Sequence, residues 1–223
     1  MRLAIIGNGP SQALYEPSID YDLVVGCNYP RFRVDVSAFA DARACRLMRK
    51  DSMQHHRLGD FQVVLGERSA SGLKRCKDKA GGLRTFYDLL EDAELIEDVV
   101  VYPDWALEDQ RSFNSGHLAF LWACSQEPYL NASYDLFGFD SVFGRTPADS
   151  TSLIDVPLGD GTELDMRIKK SEGTLNEWNP FWIRLLNYCR YDCVAFHGYE
   201  GDPPLPFEGV KNVKSVFHLR TGG

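Results

Sequence analysis

Leu3-Ala4-Ile5-Ile6-Gly7-Asn8-Gly9-Pro10-Ser11 is the stretch on which the fold turns. Four apolar residues in a row, cut off by glycine, suit a short strand buried on both faces. The run is too short to be the apolar segment of a secretory leader. Gly7 and Gly9 let the backbone come close to a bulky group and adopt positive φ. Amides near a following helix start can then face an anion, helped by the helix dipole, and Ser11 adds a hydroxyl donor. The loop has neither the lysine of a Walker loop nor the third glycine of a dinucleotide fingerprint. A tight strand-to-helix turn without a ligand is the plainer alternative.

Working outward, short apolar strands alternate with helical stretches. Strands are expected at Leu3–Ile6, Asp22–Val25, Val36–Phe39, Phe61–Leu65, Val99–Tyr102, Tyr134–Phe137 and Cys193–Phe196, with Val213–Leu219 as a last edge strand. Helices are expected at Arg43–His56, Leu83–Leu90, His117–Cys124 and Trp178–Tyr188, the last with Pro180 in its first turn. Asn114 or Ser115 can cap the third of these, and its nearly unbroken apolar run predicts burial on most sides. The polar stretch Glu67–Gly82 reads as a loop. This alternation argues for an α/β fold with a mostly parallel sheet and helices on both faces.

The 223 residues, 44% hydrophobic and 25% charged, fit one domain, 1–223, rather than two. Residues 141–177 are richer in Asp, Gly, Thr and Ser and form a candidate lid or insertion. Within it, Gly159-Asp160-Gly161 is expected to turn a hairpin between Leu153–Val156 and Leu164–Ile168. No apolar run approaches the roughly 20 residues of a membrane-spanning helix. The six cysteines form no C-x-x-C pair, which predicts free thiols in a reducing, cytoplasmic setting. Cys189, Cys193 and His197 fall short of the four ligands of a structural zinc site. The formal charge of −8 disfavours tight binding to a nucleic-acid backbone. The basic clusters at 43–50 and 68–79 read as solvated faces.

In parallel sheets, ligands sit outside the carboxyl ends of the strands. The residues that follow each strand are therefore the candidates: Gly7, Asn8, Gly9 and Ser11; Asn28; Asp41; Asn114, Ser115 and Gly116; and Asp140. Asn28 can read a sugar hydroxyl or a base edge, or simply form a turn. Asp41 can accept from a ribose hydroxyl or cap the next helix. The amides of Asn114-Ser115-Gly116 offer a second anion site or ordinary capping. His117 is a candidate base or a core histidine. Asp20-Tyr21-Asp22 is formally a metal-binding pair, but it precedes its strand and reads as a turn at the far end.

Taken together, IIGNGPS (5–11), DLVVGCN (22–28), RSFNSGHLAFLWAC (111–124) and YDLFGFD (134–140) resemble the bacterial sialyltransferases of lipo-oligosaccharide and the sialyltransferase-like proteins of phage genomes. The resemblance covers roughly residues 3–140 in the same order. It implies a Rossmann-like variant of the glycosyltransferase A-type fold with a flexible lid. It also implies a metal-independent, nucleotide-activated sugar donor and no separate cofactor. Asn8, Gly9, Asn28, Ser115 and Gly116 match the family's donor-contacting positions.

One departure is chemical. The family's general base is a histidine before the last long helix, and this chain has none between His117 and His197. The corresponding stretch, Lys169–Glu177, offers Lys170, Glu172 and Glu177; a carboxylate of suitable pKa can serve, and His117 or His197 are further candidates. The acceptor would be a glycan, or a modified nucleobase if the protein is phage-encoded. Two alternatives stand beside this reading. One is a magnesium-dependent phosphotransferase like the pterin diphosphokinases, which would use Asp41 and Asp140. The other is a non-catalytic nucleotide-binding module.

Overall fold

A computed structural model describes residues 1–27, 32–39, 62–66, 76–77, 83–84, 99–102, 114–144, 155–157, 163–165 and 173–220. Its strands are β1 (Arg2–Ile6), β2 (Leu23–Cys27), β3 (Val36–Phe39), β4 (Gln62–Gly66), β5 (Cys76–Lys77), β6 (Leu83–Arg84), β7 (Val99–Tyr102), β8 (Ser133–Phe137), β9 (Asp155–Pro157), β10 (Glu163–Asp165), β11 (Cys193–Tyr199) and β12 (Val213–His218). Its two described α-helices are α1 (Ser115–Ser125) and α2 (Gly173–Tyr188).

Eight strands form one sheet in the order β12-β11-β8-β1-β2-β3-β4-β7. Every neighbouring pair is parallel. The chain builds outward from β1 through β7, then returns to the other side of β1 with β8. The strand order therefore reverses between β1 and β8, and a crevice outside their carboxyl ends is where such sheets bind ligands. This is the α/β, parallel-sheet architecture that the alternating pattern predicts.

Side chains alternate across the sheet with period two. Leu3, Ile5, Val25, Ala38, Tyr134, Leu136, Val194 and Phe196 share one face and form the main core with α1 and α2. Ala4, Ile6 and Phe137 point the other way, onto Tyr15 and Val34. Both described α-helices thus lie on one face, and the described chain on the opposite face includes the 3-10 turn Pro10–Leu14, the loop after it and the segment before β3. From Ser115 through Cys124 every residue of α1 is buried, as its unbroken apolar run requires when a helix is held between a sheet and another helix. Trp182 of α2 joins the layers, with its ring centroid 4.7 Å from His117, 5.5 Å from Phe139 and 5.3 Å from Phe196. Among the described residues, no helix is long and apolar enough to cross a membrane.

Four local expectations change. The opening loop leads into a five-residue 3-10 turn where the sequence suggested the start of a helix. Helix α2 begins at Gly173, so Pro180 lies inside it. An interior proline removes one backbone hydrogen bond, a cost of about 3 kcal/mol. Burial of Phe181, Trp182, Leu185 and Leu186 on the adjoining turns offsets it. Strand β11 continues through His197 to Tyr199, because a hydrogen-bonded histidine is accommodated within a buried strand. Cys76–Lys77 pairs antiparallel with Leu83–Arg84, where the sequence suggested a loop and the start of a helix. The expected hairpin in 141–177 is present as β9 paired antiparallel with β10, and its turn lies outside the described residues. The expected helix Arg43–His56 and both basic clusters are also outside them, apart from the backbone of Cys76–Lys77.

Because Trp182 is 1% exposed and bridges both helices to the sheet, Trp182→Ala should lower unfolding free energy by about 3–5 kcal/mol. Denaturant titration would check this through a lower midpoint at unchanged slope.

Candidate functional site

At the β1/β8 reversal the two strand-end loops are joined by direct backbone contact. Gly7 N–H donates to the Phe137 carbonyl at 2.6 Å, and Gly9 N–H to the Gly138 carbonyl at 2.9 Å. No side chain fits between them: a Cβ on Gly7 would lie 2.5 Å from the Gly138 oxygen. Gly138 itself has φ +76, a conformation that favours glycine. The Ser11 hydroxyl completes the lock. It donates to Asp140 Oδ2 at 2.7 Å and accepts from Gly138 N–H at 3.0 Å. Ser11 N–H also donates to Asp140 Oδ2, at 3.0 Å. A Cβ on Gly9 would overlap the same carboxylate.

Four of the loop amides are therefore in use. Gly7, Gly9 and Ser11 are bonded to the β8 loop, and Gln12 N–H donates to the Gly9 carbonyl at 3.0 Å. The expectation that these amides face a phosphate meets a loop already closed around the Asp140 carboxylate. Asn8 Oδ1, on the same loop, is buried and has no hydrogen-bond partner among the described residues. A buried acceptor without a donor costs about 1–3 kcal/mol.

The segment before α1 reaches the same edge. Gly116 packs against Phe139, where a Cβ would come within 2.5 Å of Cε1. Asn114 Oδ1 accepts from His117 N–H at 2.9 Å, so its side chain is an N-cap. Ser115 is buried at the first helical position. His117 is fully buried, with its ring against Phe181 and Trp182. The structure thus brings together Gly7–Ser11, Asn114–Gly116 and Gly138–Asp140. Asn28, Asp41 and Glu172 lie outside the described residues, and of Glu177 only the backbone, in α2, is described. Asp20–Asp22 sits at the opposite, amino edge, where Asp22 Oδ2 accepts from Arg2 N–H at 2.7 Å.

A second polar constellation lies on the other sheet face, and sequence reading named only one of its members. Asp135 on β8 accepts from Arg2 Nε at 2.6 Å through Oδ2 and bonds His197 Nε2 at 2.8 Å through Oδ1. His197 Nδ1 lies 2.9 Å from His218 Nε2. Phe137 stacks on the His197 ring at 4.1 Å, and the Arg2 guanidinium lies 5.0 Å from the Tyr21 ring centre. Asp135 and His197 are buried, and His218 is partly exposed. Burial alone would raise the Asp135 pKa, but the bonds from His197 and Arg2 outweigh it and hold the carboxyl below its ordinary range. Burial and the neighbouring His197 lower the His218 pKa, with Glu16 acting in the opposite sense. Beside Arg2 and Asp135, at the amino edge, opens a cavity of about 540 Å³ that Asp22, Ser133, Ala195 and Lys214 also line. The legible signal was Asp135, a charge inside the otherwise strand-like SYDLF.

Among the described residues, no group of three or more His, Cys, Asp or Glu could hold a metal ion, and Cys27, Cys124, Cys189 and Cys193 are free thiols. No family model, curated protein or solved structure matches this chain. The class that fold and site define is an α/β protein with a parallel sheet whose order reverses at a glycine-locked edge.

Two outcomes follow from this geometry. Ser11→Ala should destabilise by about 1–3 kcal/mol, because it leaves the Gly138 amide without its acceptor and removes a donor from Asp140; thermal and denaturant melts would measure it. The Asp135 pKa is depressed in the folded state, so its stabilisation is full above the unfolded aspartate pKa of about 3.9 and is lost as pH falls through the folded value. Asp135→Asn should therefore be less stable than the parent at pH 7, with the gap closing below roughly pH 4 in acid titrations followed by circular dichroism.

Proposed function

We propose that this protein is a metal-independent glycosyltransferase that moves a sugar from a nucleotide-sugar donor to a hydroxyl acceptor, a glycan or a modified nucleobase. The observation that carries the reading is the convergence of Gly7–Ser11, Asn114–Gly116 and Gly138–Asp140 at the strand-order reversal. These are the segments that resemble the bacterial sialyltransferases, gathered where parallel sheets take nucleotides.

With the amides of Gly7, Gly9, Ser11 and Gln12 bonded internally, donor recognition falls largely to side chains. The unpartnered Asn8 Oδ1 accepts an N–H or O–H donor, such as an exocyclic base amine or a ribose hydroxyl. Asn28 and Asp41, which follow β2 and β3 in the chain, supply the same chemistry. The first-turn amides of Ser115 and Gly116 stabilise charge on the departing phosphate. Residues 141–177, which contain the β9–β10 hairpin, act as the lid of a glycosyltransferase A-type variant. The free thiols support a reducing, cytoplasmic setting. The magnesium-dependent alternative needs Asp140 as a ligand, whereas its Oδ2 accepts two hydrogen bonds from Ser11.

Thermal-shift measurements with CMP, UDP, GDP, ADP and their sugars, with and without EDTA, test the reading. One nucleotide class should stabilise the protein equally in EDTA, by about 2.7 kcal/mol at 100 times its dissociation constant. Asn8→Ala should lose most of that shift. Absence of a shift with every nucleotide, in folded protein, would overturn the proposal.

A further inference from the structure

The Asp135–His197–His218 chain has a defined proton order. An ionised carboxylate only accepts, so the 2.8 Å contact with Asp135 Oδ1 places the His197 proton on Nε2. In the neutral ring Nδ1 is then an acceptor, and at 2.9 Å its donor must be His218 Nε2–H. His218 is left with an unprotonated Nδ1. The inner part of the chain is closed, with His197 6% exposed and covered by Phe137, while the His218 ring meets solvent.

Position adds to this. His218 ends β12, so it stands at the carboxyl edge of the sheet, the edge that also carries the Gly7 and Gly138 loops. The 3-10 turn Pro10–Leu14 runs from the opening loop onto β8 and β11 and leads toward Glu16, whose charge acts on His218. The charged and titratable groups arranged about the relay are His197 from β11, Asp135 from β8, Arg2 from β1, and Glu16 and Tyr21 from the chain between the 3-10 turn and β2.

We propose that His218 is the general base of this protein, with His197 and Asp135 as positioning residues that fix its tautomer; the assignment rests on the glycosyl-transfer reading. The His218 Nδ1 lone pair takes the proton of the acceptor hydroxyl as that oxygen bonds to the anomeric carbon. The bond from this carbon to the nucleotide phosphate breaks, and its electron pair leaves on the phosphate oxygen. The imidazolium, still donating through Nε2 to His197, then returns its proton to water. This supplies the base that the stretch 169–177 lacks as a histidine.

The test uses the full chain and two readouts. Without ligand, nitrogen-15 spectra of the imidazoles at alkaline pH should show both His197 and His218 protonated on Nε2; a His197 protonated on Nδ1 overturns the relay. Kinetically, hydrolysis of the nucleotide-sugar that gives the largest thermal shift is followed with water as acceptor. His218→Gln should lower kcat by about 10²–10⁴-fold while keeping the donor's thermal shift. The acid limb of the kcat–pH profile should also disappear. His218→Ala should regain part of its rate with added imidazole, which a purely structural histidine would not show. Parental kcat in His218→Gln overturns the base assignment alone. Donor binding without turnover by the parent protein overturns it too, and failure of the parent to bind any donor removes the glycosyl-transfer reading with it.

Discussion

The carboxyl ends of β1 and β8 come from distant parts of the chain, at Ile6 and Phe137, yet their backbones touch. Gly7 and Gly138 meet without side chains, and the Ser11 hydroxyl bridges the Gly138 amide to the Asp140 carboxylate across a sequence separation of 127 to 129 residues. The rest of the architecture depends on this junction. It places β8 against β1, so β11 and β12 extend the sheet in the opposite direction from β2, β3, β4 and β7. It also aligns the loop after β1 with the first turn of α1 through Phe139. A side chain at Gly7 or Gly138 would force the two strand ends apart.

The same junction decides what chemistry the edge can perform. Amides bonded to a neighbouring loop do not cradle a phosphate, and a carboxylate beside them repels one. Among the described residues, Asn8 Oδ1 is an atom of this loop that the lock leaves without a partner. A strand-end glycine loop can therefore serve as a structural hinge pin between two strands.

On the opposite face, burial and charge are reconciled by pairing. Asp135 is tolerated inside the sheet because Arg2 and His197 both bond it, and each partner arrives from a different neighbouring strand. Removing water from these groups strengthens each bond and fixes the proton positions along the chain. The outcome is a polar line from the amino edge of β1 to the carboxyl end of β12, set in an otherwise apolar layer.

Local chemistry made much of this legible from the sequence. Short β-branched runs between glycines and polar turns located the principal strands, and the unbroken apolar run after Asn114 announced a helix buried all round. The physical reason is that strand period, capping and burial act over a few residues. Pro180 and His197 misled for the same reason: each is a poor local fit whose cost is met by tertiary contacts, the packing of Phe181 and Trp182 on the core in one case and the bond to Asp135 in the other. What the sequence by itself determined was the parallel α/β class and which strand-end segments to inspect. The tertiary structure alone decided that the Gly7 and Gly138 loops lock each other, and that Arg2, Asp135, His197 and His218 form one chain. Those contacts depend on the lateral order of strands, which long-range packing sets and no local pattern encodes.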